Sequence, residues 1–562
     1  VTVLSPSARL PEAVLRLLLV GGRGPGLVAA RDAAVSGGEG CAELADALAR
    51  AVWEDAPLWP EAAAALAARE EKRPVLPPRL SRLVAHVAAS AGQKEPEPYY
   101  ERLAARRETD RMLAYLLARL AKTPGDAGLA QRIACLAPMV GDIGPAMEAL
   151  AALPEPLAPL GKMAAGELAL LAGRAQEAQA LLQGAARDFP GPGVSLRLAE
   201  ARLALGGREA AVATFAQALA ARPWDALALA RLHDLATGLD VRRETLPGSL
   251  AVLVYSYNNA GLLTATLDAL AHTRWEYAAG GARLTVLDNG SGDDTAALLA
   301  GWQERLGERL DVVTLPVNVG APAARNWLAA LPRARQADFV AYCDDDALPP
   351  PDWLGALGAA VAAYPAAGVW GAMIRGLTSP AFVQNADAHL LPTPRGAGAW
   401  GRGFALARPW LATADDGRYG ICRPCASVTG CCHLFRGREL AGRGGFDLRF
   451  SPTQYDDLDH DIRGLLAGRV AVCQGHLRVL HAKATGAAGN PGGRQYGSGF
   501  ANQFKLHHKY DDAQFAAAAD TAFAALARDC AAKARTLAGL GLLAPDAAAR
   551  WQVGEEGGHD GV

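Results

Sequence analysis

The sequence has no apolar run long enough to span a bilayer. No basic segment stands ahead of the short apolar patch in "LPEAVLRLLLVGG", so that patch reads as a helix face rather than a signal peptide. Charge of one sign is also missing. Lys plus Arg total 56 against 58 for Asp plus Glu, which leaves no electrostatic footprint for nucleic acid or an anionic membrane. The nine cysteines are scattered and accompany no export signal, so reduced thiols and a cytoplasmic location are expected. Cys422 and Cys425 form a CxxC followed by Cys431, Cys432 and His433, but a second CxxC is absent. The run "CCHLF" has the character of a core strand. Buried structural cysteines are therefore favoured there over a zinc site.

At 562 residues the chain exceeds one ordinary hydrophobic core, and two to four domains are expected. Residues 1–245 contain almost no β-branched runs; they are Ala- and Leu-rich, with short Gly or Pro breaks between helical patterns. In "REAAVATFAQALAARP", Val212, Phe215, Ala216 and Leu219 fall at i, i+3, i+4 and i+7, one buried helix face. "LLAGRAQEAQALL" and "LALGGREAAVATF" align with Gly173 over Gly207 and Arg174 over Arg208, a period of 34 residues. This resembles the tetratricopeptide repeat, whose stacked helix pairs bind partners on a concave face. A helical buttress is the alternative.

The pattern changes near residue 246. Leu250–Tyr255, "ARLTVLD", "DVVTL" and "FVAYC" are apolar β-rich runs separated by helical stretches near 261–271 and 294–305. Alternating strands and helices predict βαβ units and a mainly parallel sheet, covered on both faces. Ligands bind such sheets outside the carboxyl ends of the strands. Polar residues collect there: Ser256, Tyr257, Asn258 and Asn259, then Asp288 and Asn289, then Asn318, then Asp344, Asp345 and Asp346. Three adjacent carboxylates repel one another. Asp344 and Asp346, at i and i+2, can converge on one Mg²⁺ or Mn²⁺ while Asp345 faces elsewhere. A cation held this way takes further ligands from substrate phosphates, so the implied substrate is a diphosphate. The alternative for the triplet alone is a solvated acidic turn.

The segment from about 250 to 485 resembles a family 2 glycosyltransferase with the GT-A fold, a nucleotide-sugar-binding α/β domain. "VLVYSYNNAGLL" is similar to the family's first strand and turn, and "VLDNGSGDDT" to the stretch whose aspartate, here Asp288, contacts the nucleotide. "NVGAPAARNWL" supplies Asn318, Gly320, Arg325 and Asn326, and "CDDDALPPPDWL" the metal-binding DxD. "GGFDLRFSPTQYDDLDHDIRGLLAG" resembles the acidic-pair region, and "VLHAKA" supplies His481 where related enzymes place a metal ligand. The usual Glu of the acidic pair is Asp456, and no Gln-x-x-Arg-Trp motif occurs. The resemblance thus implies a soluble, non-processive enzyme that moves a sugar from a nucleoside diphosphate donor to an acceptor hydroxyl with inversion. UDP-type donors are favoured, and the acceptor is a glycan, a lipid-linked glycan or a protein.

The resemblance makes Asp457 the base that takes the acceptor proton, with Asp456 second. Asp344, Asp346 and His481 would hold the metal, and the imidazole favours Mn²⁺ over Mg²⁺. Ser256, Tyr257, Asn258, Asp288, Asn318, Arg325, Asp344 and Asp345 would face the donor. His460 and Asp461, on the same helical face as Asp457, are expected on the exposed side of their helix. The glycine-rich "ATGAAGNPGGRQYGSGF" suits a lid, with Arg494 available to the diphosphate; a linker is the alternative. The expected domains are an all-α region 1–245, a GT-A domain 246–505 and a helical extension with a disordered tail, 506–562. Rival readings are an inactive scaffold working through its helical repeats, and a nucleotidyltransferase. The latter would need a Gly-rich basic loop after the first strand, where "YSYNNAG" stands.

Overall fold

Proline opens many of the N-terminal helices. Pro60, Pro78, Pro98 and Pro192 are each a first helical residue, where the missing N–H is no loss and φ is already set. The structure, a computed structural model, describes residues 11–21, 24–90, 97–377, 381–393, 402–410, 414–482 and 493–551. It divides into two compact units. One comprises Val1–Ala236, Thr413–Tyr419 and Cys530–Val562; the other comprises Thr237–Ala412 and Gly420–Asp529.

The first unit is helical throughout its N-terminal part, as the missing β-branched runs predict. Its helix pairs are regular: Ala158–Leu171 with Ala175–Asp188, then Pro192–Ala204 with Arg208–Ala221, then Ala226–Thr237. The first helix of each set starts 34 residues after the last, at Ala158, Pro192 and Ala226. The turns depart slightly from the sequence alignment. The left-handed glycines are Gly173 (φ 73°) and Gly206 (φ 81°), whereas Gly207 takes φ −80°. The apolar stripe of Arg208–Ala221 is also turned by about one residue. Ala211, Phe215, Ala218 and Leu219 are buried, while Val212 and Ala216 flank them. Buried charges are paired here. Glu54 accepts from Arg222, Arg50 and the Gly193 amide, which hold its carboxyl below the usual range against the opposing effect of burial.

The described residues of the second unit form twelve strands: β1 (Leu250–Ser256), β2 (Ala282–Asp288), β3 (Leu310–Thr314), β4 (Phe339–Cys343), β5 (Ala347–Leu348), β6 (Val369–Gly376), β7 (Val383–Asn385), β8 (His389–Pro392), β9 (Phe404–Ala407), β10 (Cys422–Cys425), β11 (Cys432–Arg436) and β12 (Ala471–His481). The main sheet runs β10-β12-β6-β11-β4-β1-β2-β3, while β8 and β9 form a separate hairpin. β1, β2, β3, β4, β6 and β12 share one direction, and β11 is wedged antiparallel between β4 and β6. The sheet is mostly parallel, and β1 and β4 are almost wholly buried, as continuous apolar runs require. The helices Ala260–Ala271, Thr295–Leu306 and Ala321–Ala330 connect the first four strands. Every carboxyl end in this set therefore opens on one edge. Ser256 stands opposite Asp288 in the β1–β2 register. A short β5–β12 pairing sets His481 against Ala347, just past the aspartates. The C-terminal helix Gly493–Lys509 lies in this unit, Asp512–Gly539 begins in it, and Pro545–Ala549 belongs to the first.

Candidate active site

The loops after β1, β2 and β3 are tied to one another by side chains the sequence singles out. Asn258, in a left-handed conformation at φ 49°, accepts from the Gly292 amide at 2.7 Å, and its own amide donates to Ser291 Oγ. Asp288 is buried and accepts from the Ser291 amide at 2.9 Å. Asn289 and Asn318 bond to each other at 3.0 Å, and Asn289 also accepts from the Val319 amide. Tyr257 is exposed at the rim of this cluster. Amide and carboxylate caps thus stiffen an edge that faces outward, as a binding surface requires.

The aspartate triplet is a turn rather than extended chain, and the turn aims each carboxylate at a different partner. The Ala347 amide closes it on the Asp344 carbonyl at 3.2 Å. Asp345 accepts from Ser256 Oγ at 2.6 Å. Asp346 Oδ1 lies 2.9 Å from His481 Nε2, and its carbonyl accepts from the Ala482 amide. Asp344 stands 3.5 Å from Arg325. Burial pushes the Asp344 carboxyl up to about 6; Arg325 and His481 oppose the shift, and neighbouring Asp346 and Asp345 add to it.

Arg325, on the helix Ala321–Ala330, is 4% exposed. One guanidinium nitrogen pairs with Asp456, another reaches Asp344 and the Gly430 carbonyl, and the rings of Tyr255 and Phe446 lie 5.4 Å away. Burial would discharge the guanidinium, but Asp456 and Asp344 more than offset it and hold the Arg325 proton on firmly. Asp456 is 1% exposed and committed to this pair. Its neighbour Asp457 is partly exposed, accepting from the Gly430 amide at 2.8 Å and the Leu458 amide at 2.8 Å. Both open the helix Asp456–Leu466, where N-terminal amides favour carboxylates. Of the acidic pair, only Asp457 presents a carboxylate to solvent.

His460 and Asp461 differ from their expected exposure: both are buried. Their face of the helix packs against aromatic rings, with Phe435 and Phe446 each 5.1 Å from the His460 ring. Desolvation pulls the His460 pKa down to about 3, so the ring is neutral. Asp461 accepts from Ser427 Oγ at 2.7 Å and the Val428 amide at 3.1 Å, both at Oδ2. Burial pushes its pKa up to about 8, the two donors opposing. A raised carboxyl pKa makes folding favour the protonated form. Stability linked to this group is complete below about pH 4, where the unfolded group is also protonated, and is lost as pH rises toward 8. Asn is the neutral isostere and keeps an oxygen for both donors. Melting temperatures of wild type and Asp461→Asn measured from pH 5 to 8 should therefore diverge, with the variant gaining on wild type as pH rises.

No curated protein sequence matches the chain. Residues 251–415, however, match the family described as Glycosyl transferase family 2. Over that segment the chain is similar to family 2 glycosyltransferases. Among solved structures it is similar to GalNAc-T7 with UDP, GalNAc and Mn²⁺, at 12% identity and TM-score 0.34 over 44% of this chain and 45% of that one. It is similar to the mannosyltransferase PcManGT from Pyrobaculum calidifontis in complex with GDP-Man and Mn²⁺, at 20% identity and TM-score 0.34 over 60% of this chain and 96% of that one. It is also similar to S. aureus TarS 1–349 in complex with UDP-GlcNAc, at 16% identity and TM-score 0.30 over 48% and 69%. The chain thus spans less than half the length of the GalNAc-T7 chain.

The donors beside the aspartate turn fit a divalent ion. Gln384 Oε1 lies 3.0 Å from His481 Nδ1. With Nδ1–H donating to that oxygen, a neutral ring turns its Nε2 lone pair toward Asp346 Oδ1, and two acceptors at that separation call for a shared proton or cation. Carboxylate and imidazole together suit Mn²⁺. Cys422 and Cys425 do not join this group. Three apart on β10, they point to opposite faces, and the Cys425 thiol donates to the Ser427 carbonyl. Arg494 opens the helix Gly493–Lys509, but its side chain and the glycine-rich segment 483–492 lie outside the described residues, as does the tail from residue 552. Sequence reasoning missed Gln384, which carries no motif, and Gly430, whose amide and carbonyl bond Asp457 and Arg325. Cys431, favoured in the sequence as a buried structural cysteine, is buried just ahead of β11.

Proposed function

We propose that the glycosyltransferase domain catalyses metal-dependent, inverting transfer of a sugar from a nucleoside diphosphate donor to an acceptor hydroxyl. One observation carries the reading. Arg325 separates two carboxylate centres, the Asp344–His481 group on one side and the solvent-facing Asp457 on the other. A divalent cation at Asp344, Asp346 and His481 would supply positive charge to the departing diphosphate. Asp457 takes the acceptor proton as that oxygen bonds to the anomeric carbon and the bond from carbon to diphosphate breaks. Asp456, paired with Arg325, keeps the base helix in place. Ser256 anchors Asp345, so the turn keeps its shape when the donor enters. Asp288, Asn318, Tyr257 and Asn258 form the edge against which the nucleotide lies, and UDP-type donors are the first choice.

The acceptor is a glycan, a lipid-linked glycan or a protein, and the tetratricopeptide-like helix pairs are the surface for a protein partner. Incubation with Mn²⁺ and UDP-, GDP- or dTDP-sugars, with product anomers read by NMR, tests the proposal. An α-linked donor should yield a β-configured product; retention would rule out direct displacement assisted by Asp457.

A further inference from the structure

The donor group beside the aspartate turn also contains a sulfur. Cys431 precedes β11 and is 5% exposed. Its carbonyl accepts from the Asp344 amide at 2.9 Å, which fixes it against the turn. Cys431 Sγ, a carboxylate oxygen of Asp344 and a ring nitrogen of His481 all lie within 4.8 Å of one another. Among the described residues this is the one group of three or more His, Cys, Asp or Glu close enough to share an ion. Donors bound to one ion at about 2.0–2.3 Å stand about 3–4 Å apart, so small side-chain rotations bring the three onto it. Cys432, one residue on, is outside the group; it lies in register with Cys343 across the β11–β4 pair.

We propose that Cys431 is a protein ligand of the divalent ion held by Asp344 and His481, making a mixed oxygen, nitrogen and sulfur site. This rests on the metal-dependent reading above and adds a selectivity to it. An all-oxygen site suits Mg²⁺, whereas a thiolate shifts preference toward Co²⁺, Zn²⁺ and Cd²⁺. Binding forms the metal–sulfur bond and releases the thiol proton to solvent. Cys431 thereby sets which cation the enzyme takes, while Asp344 and His481 set where it sits.

Titration of the full chain with Co²⁺, followed by absorption, tests the proposal. Ligand-field bands in the visible report bound cobalt, and a near-ultraviolet sulfur-to-cobalt band reports the thiolate. Wild type should show both. Cys431→Ser should lose the near-ultraviolet band, keep the ligand-field bands and bind Co²⁺ and Cd²⁺ at least about tenfold more weakly. Cys432→Ser and Cys135→Ser, as thiol controls, should keep the band. Cys431→Ala provides the same readout if the serine variant misfolds. Cobalt bound without the sulfur band, or a band that survives in the Cys431 variants, overturns the ligand and leaves the metal-dependent reading standing. Failure of wild type to take up either Co²⁺ or Mn²⁺ overturns both.

Discussion

Replacing Asp457 with Asn should lower kcat for sugar transfer by about 10²- to 10⁴-fold while leaving donor KM near wild type. The amide cannot take the acceptor proton, yet its oxygen can still accept from Gly430 or Leu458, so the helix start is preserved. The two acids differ in what they already hold. Asp456 is buried and paired with Arg325, whereas Asp457 is partly exposed. Asp456→Asn should therefore cost less in kcat than Asp457→Asn at equal protein stability. Steady-state kinetics on both variants, with folding checked by circular dichroism, reads the difference. The opposite ranking would move the base to Asp456.

The second large effect is on stability. Arg325→Met should lower unfolding free energy by about 3–5 kcal/mol, because it strands Asp456 and Asp344 without their shared cation. Methionine fills most of the volume, so the loss is electrostatic rather than a cavity. Neutralising the stranded partner should repair part of it, and Arg325→Met with Asp456→Asn should be more stable than Arg325→Met alone. Arg325→Lys keeps one charge but cannot fork between the two carboxylates, so it should fall between wild type and methionine. Thermal or denaturant unfolding of the four proteins tests the series. A methionine variant within about 0.5 kcal/mol of wild type would mean that other groups carry the neutralisation.

Much of this arrangement is legible in the sequence, for local reasons. Each of β1, β2 and β4 is an apolar run that ends on a polar cluster, and a parallel sheet gathers such ends on one edge. The 34-residue spacing of helix starts likewise follows from turn chemistry repeated along the chain. Long-range pairings were less accessible. His481 reaches Asp346 because two residues of β5 pair with the end of β12, a contact between segments far apart in sequence. The acidic face of Asp456–Leu466 looked solvated, since Asp and His spaced along a helix carry no sign of the aromatic cluster that covers them. Cys431 looked like core because it is apolar in context and buried. Only the β11–β4 pairing brings it to Asp344.

The most direct test of the central claim is release of nucleoside diphosphate from UDP-, GDP- and dTDP-sugars by the purified full chain, with Mn²⁺ and with chelator. Binding of the diphosphate at the Asp344–His481 group predicts release with Mn²⁺ for at least one donor, abolished by chelator and by His481→Ala. Release that ignores the chelator, or a product other than the nucleoside diphosphate, would contradict it.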